Sequence, residues 1–140
     1  MEKLLQPFDE VFFTTSHEWI RFEGNTAIFG LSPFKLTGFK RINQFFVSEI
    51  HGIVKAGTNL ATLEYNDYIV TLHMPVDGEV MGWNNALLQE SPATMLSKML
   101  QFDWLARITP QQPCERKHLI PPIHYKALEK TKYALKPLIQ

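Results

Sequence analysis

The feature that most constrains this chain is the spacing of its turn formers. From Val11 onward, short β-branched and aromatic segments are broken roughly every eight to twelve residues by Gly, Pro, Asn or Asp. Val11 to Thr15 reads as a strand. His17 to Phe22 and Thr26 to Leu31 read as a hairpin closed by Gly24-Asn25. Gln44 to Ile50, Leu60 to Leu63, Tyr68 to Leu72, a segment ending near Trp83, and Trp104 to Ile108 complete the set. Ser32-Pro33 and Ser91-Pro92 each place an N-cap before a proline, so short helices are expected to run to about Phe39 and Leu100. This spacing predicts a mainly β domain with short helices, a sandwich or small barrel. Glu64-Tyr65-Asn66-Asp67 is expected to be a tight connection between two of the strands.

Composition narrows the function. The chain has 140 residues, 45% of them hydrophobic, enough for one packed domain. Fourteen Lys and Arg balance fourteen Asp and Glu. A neutral chain lacks the basic field that grips phosphate backbones, so no nucleic acid partner is expected. The lone cysteine, Cys114, excludes an internal disulfide and a Cys-rich zinc site. Apolar runs are too short for a membrane span, and the acidic start lacks a signal-peptide core. A cytoplasmic protein is expected. Residues 1–10 read as a lead-in and 11–109 as the domain. Residues 110–140 read as a connector marked by Pro110, Pro113, Pro121 and Pro122, followed by a C-terminal helix over Ile123 to Lys136 that packs on the domain or on a partner.

Three passages carry more than pattern. Ser16-His17-Glu18-Trp19-Ile20-Arg21 is followed by Glu23-Gly24. Pro75-Val76-Asp77-Gly78-Glu79-Val80 is followed by Trp83-Asn84-Asn85-Ala86-Leu87 and Glu90-Ser91-Pro92. Asp103-Trp104-Leu105 comes last. In order and interval these resemble the motifs of the glycine cleavage system H protein family over roughly Val11 to Thr109. The resemblance implies a lipoyl/biotinyl-type barrel-sandwich hybrid of two β-sheets, here with a C-terminal helical extension. It also implies a carrier rather than an enzyme. In the family, lipoic acid is amide-linked to a lysine at a hairpin tip, and the arm ferries an aminomethyl group between the glycine cleavage enzymes.

That lysine lies eleven residues before the glycine of the second motif, which is Gly78 here. The count falls on Asp67, with Glu64 in place and Tyr65-Asn66 between. A carboxylate cannot accept the lipoyl acyl group as an amide; lysine supplies the amine and the flexible stem. No lysine lies between Lys55 and Lys98. The resemblance therefore implies the fold but withholds the cofactor. No lipoate is expected, and the function becomes that of a non-lipoylated protein-binding or regulatory module. Its partners would be glycine cleavage enzymes, lipoate-handling enzymes or unrelated proteins. The competing reading is a lipoyl carrier modified at an unexpected lysine. A second departure is Lys40-Arg41, where the family has Gly-Asp.

The tip residues admit two readings. Asn66-Asp67 suits an ordinary turn, and Tyr65 and Tyr68 an ordinary cross-strand aromatic pair. Alternatively Glu64, Tyr65, Asp67 and Tyr68 form a recognition tip, since aromatic side chains dominate interface energetics. Elsewhere, His17 is expected to be structural. Glu64 and His73 are expected to face one another across the hairpin, an incomplete metal site. Cys114 and His118 are spaced for a helical thiolate pair, but their proline-rich setting argues against a helix and no third group completes a nucleophilic site. No catalytic set is apparent. Trp19, Trp83 and Trp104 read as core or edge packing.

Overall fold

The computed structural model describes residues 11–125. The expected lead-in, and all but the first three residues of the expected C-terminal helix, lie outside them. Among the described residues, nine strands form two sheets. In chain order they are β1 (Val11–Phe13), β2 (Glu18–Glu23), β3 (Thr26–Leu31), β4 (Gln44–Val47), β5 (Ile53–Val54), β6 (Asn59–Tyr65), β7 (Tyr68–His73), β8 (Gly78–Trp83) and β9 (Ala106–Pro110). Helices α1 (Asn85–Leu88) and α2 (Pro92–Met99) lie between β8 and β9. The larger sheet runs β1-β2-β3-β9-β8-β5 and the smaller β4-β6-β7. Every strand pair is antiparallel. This is the two-sheet, mainly β architecture that the turn spacing predicts.

The β2–β3 hairpin closes on Gly24-Asn25 as expected, with Glu23 paired to Thr26 and Gly24 at φ 66°. Along it Trp19 faces Gly30, and a Cβ there would come within 3.0 Å of the indole nitrogen. The main core gathers Ile20, Phe29, Leu31, Leu36, Leu60, Leu63, Leu72, Leu87, Met99 and Ile108 from both sheets and all the short helices that cover them. Gly78 begins β8 where a side chain would sit 2.5 Å from the Thr109 carbonyl, so the close β8–β9 approach requires glycine.

Several boundaries differ from expectation for local reasons. The helix after Ser32 is a 3-10 turn over Pro33–Leu36. It stops because Thr37 turns extended, with ψ 127°, and Gly38 then takes φ 93°. The strand expected to reach Ile50 ends at Val47. The last strand begins at Ala106, not Trp104, because Phe102 takes φ 64° and Asp103 accepts the Trp104 N–H, turning the chain before it pairs. β5 and α1 were not anticipated. The former has two residues, and the latter is a single turn whose signal is Asn84, which accepts from the Leu87 N–H. α2 follows Ser91-Pro92 as expected and ends at Met99.

After β9 the chain runs back across the domain. Phe13 and Ile120 exchange both backbone hydrogen bonds. Leu119 enters the main core, and Tyr125 stacks on Phe13 at 4.0 Å within a second cluster with Val11, Trp19 and Ile28. Ile123 and His124 lie in a 3-10 turn, Pro122–His124, rather than in the start of an α-helix. No helix among the described residues is long and apolar enough to cross a membrane.

Candidate functional site

The candidate site is the β6–β7 hairpin. Its turn is shorter than expected, because Glu64 and Tyr65 belong to β6 and only Asn66-Asp67 lie between the strands. Asn66 adopts φ 53°, the left-handed conformation that asparagine tolerates. Its N–H donates to Asn43 Oδ1 at 3.0 Å, and Asn43 N–H donates to the Glu64 carbonyl at 2.7 Å. The segment before β4 thus ties the turn from the side. Asn66 and Asp67 are exposed.

Tyr65 and Tyr68 are direct cross-strand partners, stacked with ring centroids 6.2 Å apart. Phe39 packs against both, at 5.7 and 6.2 Å. The Arg41 guanidinium lies over the Tyr65 ring at 5.2 Å, a cation–π contact. Tyr65 is buried by these neighbours, whereas Tyr68 is 58% exposed. The tip is therefore a braced platform of three rings with an acid on its turn. The aromatic-pair reading of Tyr65 and Tyr68 holds, and Phe39 and Arg41 are the neighbours that strand pattern alone missed.

Next to the tip, the smaller sheet shows an outer face. Register places Gln44, Glu64 and Ile69 in one row and Phe46, Thr62 and Thr71 in the next. Ile69 is 64% and Phe46 53% exposed. Leu63, Phe45 and Val70 share the inner face.

Glu64 and His73 do not meet. Period-two alternation across the hairpin pairs Glu64 with Ile69 and His73 with Asn59. His73 turns instead to Glu18, whose side chain is completely buried. Glu18 Oε2 accepts from both the His73 backbone N–H and Nδ1, each at 2.9 Å. Oε1 accepts from the Thr14 and Ser16 hydroxyls, each at 2.5 Å. Facing a carboxylate, His73 Nδ1 is the protonated nitrogen. This cluster joins β7 of one sheet to β2 of the other. Its members lie 55 residues apart in the sequence, so spacing gave no signal of it.

His17 is structural. It sits at φ 71°, 2.6 Å through Nδ1 from the Tyr125 hydroxyl, beside Phe34. Burial and the Lys35 ammonium hold its pKa below the ordinary histidine value, against a smaller pull from Glu18. Burial pushes the Tyr125 phenol up to about 12, with Glu18 adding to the rise and a Ser32 hydrogen bond opposing it. Cys114 and His118 lie on no helix. They line a cleft of about 380 Å³ with Asp77 and Glu115, and His118 Nε2 donates to the Pro75 carbonyl at 2.9 Å. Trp19 is core; Trp83 and Trp104 are half-buried at its edge.

A model of the family described as "Glycine cleavage H-protein" matches residues 11–132. The glycine cleavage system H protein of Bacteroides thetaiotaomicron is 28% identical over 116 residues, 83% of this chain and 91% of that protein. That of Bacteroides fragilis is 30% identical over the same shares. Among solved structures, a glycine cleavage system H protein from Mycobacterium marinum superposes with a TM-score of 0.69 at 19% identity, covering 86% of this chain and 97% of that one. The superposition speaks for the fold.

Proposed function

We propose a function from one premise: the chain belongs to the glycine cleavage H-protein family. Members of the family are lipoyl carriers and not themselves catalysts. In our reading this member keeps the carrier scaffold, bears no lipoyl group at the hairpin tip, and works as a cytoplasmic protein-binding or regulatory module. Its partners would be glycine cleavage or lipoate-handling enzymes.

One observation carries the reading. The hairpin turn, at the spacing where the family resemblance calls for a lysine, holds Asn66-Asp67. Lipoylation requires an amine to form the amide, and a carboxylate offers none. The turn is also immobilised by Asn43, and its flanking Tyr65 is clamped by Arg41. Arg41, from the Lys40-Arg41 departure, and Tyr65, beside the Asp67 departure, are in contact. A braced, aromatic, acidic tip suits docking in a partner's pocket better than it suits anchoring a swinging arm. Carrier chemistry at another lysine gains no support from the surroundings of Lys98, whose Nζ is engaged by Glu90 at 2.6 Å.

Intact-mass measurement of the protein purified from its own cells tests this directly. The unmodified mass is expected, and a lipoyl adduct on the wild-type chain overturns the reading. Asp67→Lys incubated with a lipoate ligase separates two causes: gain of one lipoyl group means that only the amine was lost, and refusal means that Tyr65-Asn66 or the surrounding surface has diverged too. Affinity capture, read by mass spectrometry, then asks whether glycine cleavage or lipoate-handling enzymes are enriched on the wild type and lost on Tyr68→Ala.

A further inference from the structure

β7 is an edge strand. It pairs with β6 on one side and, among the described residues, with no strand on the other. Met74 donates to the Thr58 carbonyl and accepts from Gly57, so Met74 faces the β6 side. By alternation Leu72, Val70 and Tyr68 do the same, as the Tyr65–Tyr68 pair flanking a two-residue turn requires. Ile69, Thr71 and His73 therefore turn their N–H and C=O groups outward. His73 fits this pattern, since its outward N–H is taken by Glu18. Two residues, Ile69 and Thr71, remain with outward backbone groups and no strand to pair with.

Edges of this kind are usually blunted by Lys, Pro, a bulge or brevity. β7 runs Tyr-Ile-Val-Thr-Leu-His over six residues, with neither lysine nor proline. The bulge in this sheet lies on β6, between Asn59 and Ala61. Ile69 is exposed on its outer face.

We infer that the occupant of this edge is β7 of a second copy of this chain, paired antiparallel about a two-fold axis at Val70. One register satisfies both open residues of both copies. Ile69 of each copy lies opposite Thr71 of the other, giving four backbone hydrogen bonds and asking nothing of His73. A shift by two residues in one direction leaves Thr71 opposite the turn. A shift in the other sets Ile69 against His73, whose N–H is already committed to Glu18. The favoured register also brings Asp67 of one copy level with His73 of the other, an acid opposite an imidazole. The competing edge, β4, has four residues, and the same construction sets Asn43 opposite Glu49, with no such complementarity. The pairing is isologous and closes, so it yields a dimer with a continuous sheet β4-β6-β7-β7-β6-β4 and not a filament. The inference rests on the preceding reading only in taking Asp67 as unmodified. Intact mass reports failure of that reading; association state reports failure of this one.

Sedimentation equilibrium of the full chain is the test. The wild type is expected to associate to twice its 16.2 kDa mass. Thr71→Pro removes an outward N–H that β6 does not use. It is expected to weaken association by at least about thirtyfold, from two lost hydrogen bonds per dimer, while the circular dichroism spectrum stays native. Should Thr71→Pro fail to fold, cross-linking decides. Val70→Cys in a Cys114→Ser background places two thiols in a non-hydrogen-bonded pair about 4.5 Å apart at Cα, within disulfide reach. Mild oxidation is expected to give a covalent dimer, and Phe46→Cys in the same background is expected to give none. A wild type that stays monomeric at several hundred micromolar, a folded Thr71→Pro that dimerises undiminished, or cross-linking through Phe46→Cys in place of Val70→Cys overturns the inference.

Discussion

The two ends of β7 solve opposite problems. At its C-terminal end, His73 meets a buried carboxylate whose two oxygens take four hydrogen bonds from Thr14, Ser16 and His73. At its N-terminal end, Tyr68 and Ile69 are more than half exposed, Asp67 is in solvent, and the strand edge is open. A buried charge needs its lone pairs engaged, and those of Glu18 are, so the carboxylate itself is closed to new ligands. The N-terminal end spends little stability on its exposed groups and leaves them for something else to cover. Function is therefore to be sought at the tip, even though the carboxylate–imidazole pair at the other end looks more like chemistry.

Removing the carboxylate breaks the comparison most severely. Glu18→Ala orphans the buried donors and unlinks the two sheets, so a loss of about 3–5 kcal/mol is expected by urea unfolding. If the loss is within about 0.5 kcal/mol, the cluster is not what holds β7 to β2. Next comes Tyr125→Phe, which deletes the hydroxyl beside His17 and is expected to cost about 1 kcal/mol at neutral pH.

The same residue sets a pH dependence of known sign. The unfolded phenol ionises near 10.0 and the folded one near 12. Over that interval the unfolded chain binds fewer protons, so stability is full below pH 10 and falls as pH rises toward 12. Tyr125→Phe should remove this contribution from an alkaline series of melting temperatures. His17 acts at the acid end. Its folded pKa lies below 6.5, so the unfolded chain takes up the proton first and stability falls as pH drops below 6.5. His17→Gln should flatten that limb.

The smallest effect on stability is expected at the tip. Tyr68→Ala loses an exposed ring and part of an aromatic pair, about 0.5 kcal/mol by thermal melting. Its effect on partner capture is expected to be complete. A large destabilisation with capture intact would reverse the assignment of roles to the two ends.

Legibility followed the range of the interactions. The β2–β3 hairpin was readable because Gly24-Asn25 and flanking alternation act within a few residues, and so was α2, because Ser91-Pro92 is a local start signal. The Tyr65–Tyr68 pair was readable because a short turn makes sequence neighbours into spatial ones. Expecting Glu64 to face His73 failed because the hairpin closes on the Tyr65–Tyr68 pair, a register that places Ile69 opposite Glu64 and Asn59 opposite His73. The 3-10 turn after Ser32 fell short of Phe39 because Thr37 turns extended and Gly38 takes a left-handed φ of 93°.

By itself the sequence determined a two-sheet β domain of the H-protein family with an acid at the hairpin tip, because turn chemistry, strand alternation and motif spacing are properties of contiguous residues. Only the tertiary structure decided that Glu18 holds His73, that Arg41 and Phe39 clamp the tyrosines, and that β7 keeps an open edge. Each of those facts depends on which distant segments pack together. Burial and the satisfaction of polar groups are settled by the whole chain at once, not by any stretch of it.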